Sequence, residues 1–271
     1  MRRAILLGLL QGPTEMTPVS SSAHTALLQR SLGRSSQDHS FEKSFEVALH
    51  GGTALALALQ MGGRLRRSGK RACADADAQA SKRRLTLLGL SALPPALAGY
   101  LLEGPIERRG SGSQSIAAGL VVGAVAMGIA DRRGGQRRIE QAGAADALAL
   151  GLAQASALMP GVSRRGATLA AARLRGFSRA DADELSWLVA IPVILGACAL
   201  KGSQLLRKPP SGEQRVALLA GASTAFASTL ASAQVQSRLR MGRWPLAPFC
   251  VYRLLLALWT LRGRSDDPPG S

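Results

Sequence analysis

The sequence predicts an all-α chain that crosses a membrane several times, and three observations carry the prediction. Six apolar stretches are nearly free of charge, the charges gather in blocks between them, and a polar motif recurs once at an offset of 143 residues. Soluble amphipathic helices mix apolar and charged residues on a 3.6-residue period. Here the two kinds are segregated along the chain.

The six stretches run over 45–61, 85–102, 116–130, 185–200, 216–233 and 245–261. At 1.5 Å per residue, about 17 to 20 residues cross a hydrocarbon core of roughly 30 Å, so 116–130 needs its flanks or a thin bilayer. Many of the stretches are rich in Ala and Gly, whose small side chains let membrane helices approach closely. The competing soluble bundle of buried helices leaves the charge segregation without a cause. No cleaved signal peptide is expected at the start, because Met1-Arg2-Arg3 precedes only a short apolar run, 4–10, that ends at Gln11-Gly12-Pro13.

Composition narrows the functional classes. The chain has 271 residues with 34 Lys plus Arg against 17 Asp plus Glu, a formal net charge of +17, but 46% of residues are hydrophobic and mean hydropathy is +0.10. That excludes a disordered basic tail, and a collagenous chain despite the 30 glycines. Cys73, Cys198 and Cys250 form no CxxC pair and there are three histidines, which excludes a disulfide scaffold and a structural zinc module. Aromatics are 4% and no recognition module surrounds the basic run 62–71, so nucleic acid is not an expected partner. Loop charge sets an expected topology: 62–84, 131–144 and 234–244 are basic and cytoplasmic, whereas 103–115 is balanced and outside. The basic segment 201–215 fits that scheme poorly.

The repeat pairs Gly8 with Gly151, Gln11 with Gln154, Met16 with Met159, Val19 with Val162 and Ser20 with Ser163. Each copy is a helix-like run broken by Pro with Ser or Gly, and each precedes about three apolar stretches. Three crossings is an odd number, so two halves, 1–142 and 143–271, lie in opposite orientations as one membrane domain, with discontinuous helices meeting at a central site. Coincidence in an Ala- and Gly-rich chain is the plain alternative.

Broken backbone inside a membrane must face protein or a water-filled cavity. The first break gathers Glu15, Ser20, Ser21, Ser22 and His24, and the second gathers Ser163, Arg164, Arg165 and Thr168. Arginines beside hydroxyls and helix N-termini form an oxyanion or phosphate cradle. A His a few residues from Ser can serve as base or nucleophile, and a nearby carboxylate can orient it. Structural roles stand beside these: the serines as helix caps, Glu15 as a first-turn residue, His24 as a bundle hydrogen bonder, and Arg164 and Arg165 as anchoring charges. Glu46 and His50 are either a second polar pair facing the cavity or a pair that stabilises helix packing, and His39 reads as surface.

At these residues the sequence resembles the bacterial undecaprenyl-diphosphate phosphatase family of the bacitracin-resistance type. QGPTEMTPVSSSAH at 11–24 and LAQASALMPGVSRRGAT at 152–168 carry the resemblance, with FEVALHGGTALAL, RLRGFSRADADELSWLVAIPVILGA and APFCVYRLLLAL extending it over nearly the whole chain. It implies an integral enzyme of the bacterial inner membrane with six transmembrane helices and two re-entrant helical hairpins in an inverted repeat. The implied activity removes the terminal phosphate of undecaprenyl diphosphate to recycle the lipid carrier of cell-wall synthesis, and the partners are that lipid and the bilayer, with a homodimer as a possible assembly.

Carried over residue by residue, the resemblance makes Glu15, Ser21, His24 and Arg164 catalytic and places Gln11, Ser20, Ser22, Ser163, Arg165 and Thr168 around the substrate. Glu15 is also the candidate ligand for Mg²⁺ or Ca²⁺, and no organic cofactor is expected. Two departures matter. The family's Glu-Gly is Gln11-Gly12 here, and its Ser-Arg-Ser-Gly is Ser163-Arg164-Arg165-Gly166. Both move the site toward positive charge, and Gln11 can hydrogen-bond but cannot act as a base. A weakened member of the family and a transporter or flippase of polyprenyl phosphate lipids are the alternative functions, the latter because inverted repeats with broken helices are also transporter architecture.

Overall fold

The computed structural model describes residues 1–32, 39–69, 77–110, 112–207 and 210–262. Among them the fold is all-α. The helices are α1 (Arg2–Met16), α2 (Ser21–Ser31), α3 (His39–Gly69), α4 (Asp77–Gly110), α5 (Ser113–Arg132), α6 (Ala144–Ser156), α7 (Arg164–Leu174), α8 (Arg179–Arg207), α9 (Gly212–Leu239) and α10 (Ala247–Arg262). Five of the six apolar stretches lie within one longer helix each, in order α3, α4, α5, α8 and α9, and the sixth, 245–261, coincides with α10 from Ala247 on, its first two residues preceding the helix. Among the described residues, Ser113–Arg132, Arg179–Leu200 and Gly212–Leu239 are long and apolar enough to cross a bilayer. On α5 the apolar side chains Val122, Val125 and Ile129 point outward while Ala124, Met127 and Ala130 are buried, the arrangement expected where the outer solvent is lipid.

Several segments expected as loops are helical. Residues 62–69 and 77–84 extend α3 and α4, and 103–110 completes α4, while Lys70, Arg71 and Asp75 lie outside the described residues. Lys and Arg are good helix formers, so an apolar helix continues past its charge boundary.

The order of two short helices, two long ones and one of intermediate length occurs twice, as α1–α5 and α6–α10. The chain forms two compact units, and each draws on both copies: the first comprises 1–16, 24–84 and 191–241, the second 17–23, 85–190 and 242–271.

In the first unit α1 and α3 pack on α9 around Leu7, Phe45, Leu49 and Leu218. Gly8 allows the approach, since a side-chain carbon there would sit 2.7 Å from the Gly221 carbonyl oxygen. Ser228 donates to the Leu9 carbonyl at 2.6 Å, Gln236 to the Met16 carbonyl at 3.2 Å, and the Thr53 and Thr229 hydroxyls meet at 3.2 Å. Close backbones tied by polar side chains are the usual means of holding helices together in lipid.

In the second unit Leu87, Met127, Leu150, Phe177, Leu185 and Val189 form the core. Gly151, the repeat partner of Gly8, fits α6 against Ser91 and Pro94 of α4. Gly8 and Gly151 therefore touch corresponding helices, the fourth member of the opposite copy. At one end of this unit two carboxylates gather the arginines. Asp131 accepts from Arg179 at 2.8 and 3.0 Å and from the Leu246 N–H at 2.9 Å. Asp146 accepts from Arg137 at 2.9 and 3.1 Å, from Arg175 at 2.6 Å and from the Gly143 N–H at 3.0 Å. Part of the basic surplus of 131–144 thus serves internal ion pairing. Burial would raise the Asp146 carboxyl, but the hydrogen bonds from Arg137, Arg175 and Gly143 outweigh it and hold the group below the usual carboxylate range.

Candidate active site

The first polar segment begins on α1. Gln11 is 1% exposed, and neither its amide nitrogen nor its amide oxygen has a hydrogen-bond partner in the structure among the described residues. Glu15, also buried, lies four residues on and so on the same face of the helix. Pro13 sits between them and faces outward. The helix ends at Met16, and the chain turns through 17–20 before α2 starts.

The turn is closed at Ser20, which takes the left-handed conformation with φ of 77°. Its Oγ accepts the Ala23 N–H at 3.4 Å and lies 3.1 Å from the Ser22 hydroxyl. Ser21 is half-buried, Ser22 exposed, and His24, three residues after Ser21 on α2, is buried.

The second segment repeats the design. α6 ends at Ser156, Gly161 adopts φ of 84°, and Ser163 caps α7 by accepting the Gly166 N–H at 3.1 Å. Ser20 and Ser163, paired by the sequence repeat, thus cap the same position of the second short helix, the amide three residues on. Gly166 lets Met127 pack close there, because a side-chain carbon would sit 2.8 Å from the Met127 sulfur and displace it. Arg164 is half-buried at the first position of α7. Thr168 is fully buried, its hydroxyl 3.0 Å from the Arg164 carbonyl and 2.6 Å from Ser186 Oγ.

Arg165 turns into the second unit. It is buried, pairs with Asp183, and stacks 4.0 Å over the Trp187 ring. Elsewhere, His50 is exposed and its ring bonds the Glu46 carbonyl at 2.8 Å within one turn of α3, a local contact of the helix with itself. His39 opens α3, and its side chain lies outside what the structure describes.

Three residues were not singled out from the sequence. Gln154, the repeat partner of Gln11, donates to the Ser91 carbonyl at 3.2 Å while its oxygen has no hydrogen-bond partner in the structure among the described residues. Its place in the repeat was the available signal. Asp183, the partner of Arg165, carried none. Arg253 stands as the lone charge in the last apolar stretch, and the structure buries it completely.

Comparison with known proteins gives the chain's family. The family model described as bacitracin resistance protein BacA matches residues 4–259. The chain belongs to this family. Proteins named undecaprenyl-diphosphatase are among its relatives: that of Geobacter sulfurreducens is 36% identical over 262 residues, covering 93% of this chain and 94% of the relative. That of Rubrobacter xylanophilus is 38% identical over 267 residues, covering 94% and 95%. With its long apolar helices, this member of the BacA family is a multi-pass protein of the bacterial inner membrane. In this member of the family the guanidinium of Arg165 comes with a carboxylate, Asp183, that balances its charge.

Proposed function

We propose that the chain hydrolyses undecaprenyl diphosphate to undecaprenyl phosphate and inorganic phosphate, recycling the lipid carrier of cell-wall synthesis. Its match to undecaprenyl-diphosphatases over more than nine-tenths of both chains carries this reading. The doubled arrangement of a glycine- or proline-bearing break, a serine cap and a short helix supports it, because helix N-termini favour anions and a diphosphate is the anion at hand.

In the proposed mechanism Arg164 holds the outer phosphoryl oxygens and the charge that develops on them. Phosphoryl transfer depends on such positioning and electrostatics above all. The Ser21 hydroxyl attacks the terminal phosphorus while His24 takes its proton, and the bond from that phosphorus to the bridging oxygen breaks, releasing undecaprenyl phosphate. Water then cleaves the phosphoserine and frees phosphate. In the second form His24 is the nucleophile and Ser21 supports it. Glu15 orients His24. Gln11, Ser20, Ser22, Ser163, Arg165 and Thr168 shape the substrate surroundings, with the two caps and the Thr168–Ser186 contact fixing the helix starts.

Mg²⁺ is ordinarily held by one or two carboxylates together with substrate phosphates. Glu15, buried and on one face with the neutral Gln11, fits that modest role and would hold the ion. When bound, the cation neutralises diphosphate charge.

The halves 1–142 and 143–271 supply, in this reading, six crossings by α3, α4, α5, α8, α9 and α10, with α1–α2 and α6–α7 as the two re-entrant hairpins of an inverted repeat. The recurrence of helix order and the matched contacts of Gly8 and Gly151 support it. Phosphate release from undecaprenyl diphosphate in detergent, with Mg²⁺ and with chelator, tests the activity. Acid-stable label retained on the protein from substrate bearing terminal ³²P supports a phosphoserine, whereas acid-labile label identifies His24.

A further inference from the structure

Arg253 has a position that neither the composition nor the repeat explains. Its guanidinium is wholly buried in the second unit and donates to four backbone carbonyls. Nε meets Leu120 at 3.2 Å, Nη1 meets Pro18 at 3.1 Å, and Nη2 meets Gly119 at 3.1 Å and Gly161 at 3.0 Å. Room for the group comes from Gly123, where a side-chain carbon would collide with the guanidinium.

Two of those acceptors are repeat partners. Pro18 and Gly161 stand 143 residues apart, each two residues before a capping serine, Ser20 or Ser163, and each three before Ser21 or Arg164. Both lie where a short helix has ended, so neither carbonyl has the amide of a continuing helix to satisfy it. One planar fork of donors satisfies both and fixes their separation and angle, with α5 as the third support. A lysine cannot reproduce this, because its three donors radiate from one point.

We infer that Arg253 is a positioning residue for the hydrolysis: it locks the two breaks into register so that Ser21 and Arg164 are presented together. The inference rests on the proposed phosphatase activity, but its structural half can be read without it. The test uses the full chain in detergent with Arg253→Lys and Arg253→Gln, measuring kcat and KM for undecaprenyl diphosphate alongside hydrogen exchange of peptides over 17–22 and 159–163. Misplacement of about 1 Å can cost roughly 100-fold in rate, so kcat is expected to fall about 10-fold in the Lys variant and about 100-fold in the Gln variant. KM should stay within about threefold, as expected where transition-state interactions are lost. Exchange should rise at both breaks together while the rest of α5 and α10 stays protected.

Folded variants with kcat within twofold of the unmodified protein would overturn the inference. Exchange rising at one break only, or uniformly over the molecule, would overturn it as well. If the unmodified protein releases no phosphate, the catalytic reading fails, and the paired exchange response alone then decides whether Arg253 couples the breaks.

Discussion

Arg165 and Arg164 are neighbours in sequence with different surroundings. Arg165 is buried against Asp183 and Trp187, whereas Arg164 is half-buried at the start of α7. Removing one partner of a buried ion pair costs about 3 kcal/mol, because the other charge is left without compensation. Asp183→Asn should therefore destabilise the protein by roughly that amount in detergent unfolding. Arg165→Ser should cost less, since Asp183 is partly exposed, and the double variant should be more stable than the two losses summed. Gln11 poses a different question, being a buried amide where the sequence resemblance leads one to expect a carboxylate. Gln11→Glu should raise phosphate release if the missing charge limits turnover, and an unchanged kcat would show a site adapted to the amide.

The short helices depend on their first turns. Loss of a serine cap costs about 1 kcal/mol, so Ser163→Ala should lower unfolding stability by about that much. Ser20→Ala should cost less, its bond to Ala23 being longer, 3.4 against 3.1 Å. At the start of α6 the same physics is electrostatic. Asp146 is held below its ordinary range by Arg137, Arg175 and the Gly143 N–H after burial is offset. A folded-state value below the unfolded one means the stabilisation is fully present at neutral pH and is lost as pH falls through the folded value. Thermal unfolding followed from pH 7 into the acid range should show that loss in the unmodified protein and a smaller one in Asp146→Asn.

Across the whole molecule, the apolar stretches were readable because a bilayer leaves few options, long charge-free runs having to be helices, and the repeat was readable as like residues at one constant offset. Five of the predicted stretches fall within one helix each, the sixth overlaps α10 from Ala247 on, and Ser20 and Ser163 occupy matching places. What escaped the sequence is what depends on partners distant along the chain. The charge of Arg165 was visible but Asp183 was not, and Arg137 looked like a loop anchor until Asp146 was placed beside it. Arg253 was hidden for the opposite reason, since a single cation within an apolar run carries no indication that four carbonyls receive it. The site residues themselves were named through resemblance and repeat together. In the proposed mechanism the two breaks act together on a lipid diphosphate. The decisive measurement is phosphate release from undecaprenyl diphosphate by the purified protein in detergent, compared with Ser21→Ala and Arg164→Ala: the unmodified protein should release phosphate and each variant should lose about 100-fold or more, whereas unchanged turnover in both variants, or no release at all, would rule the mechanism out.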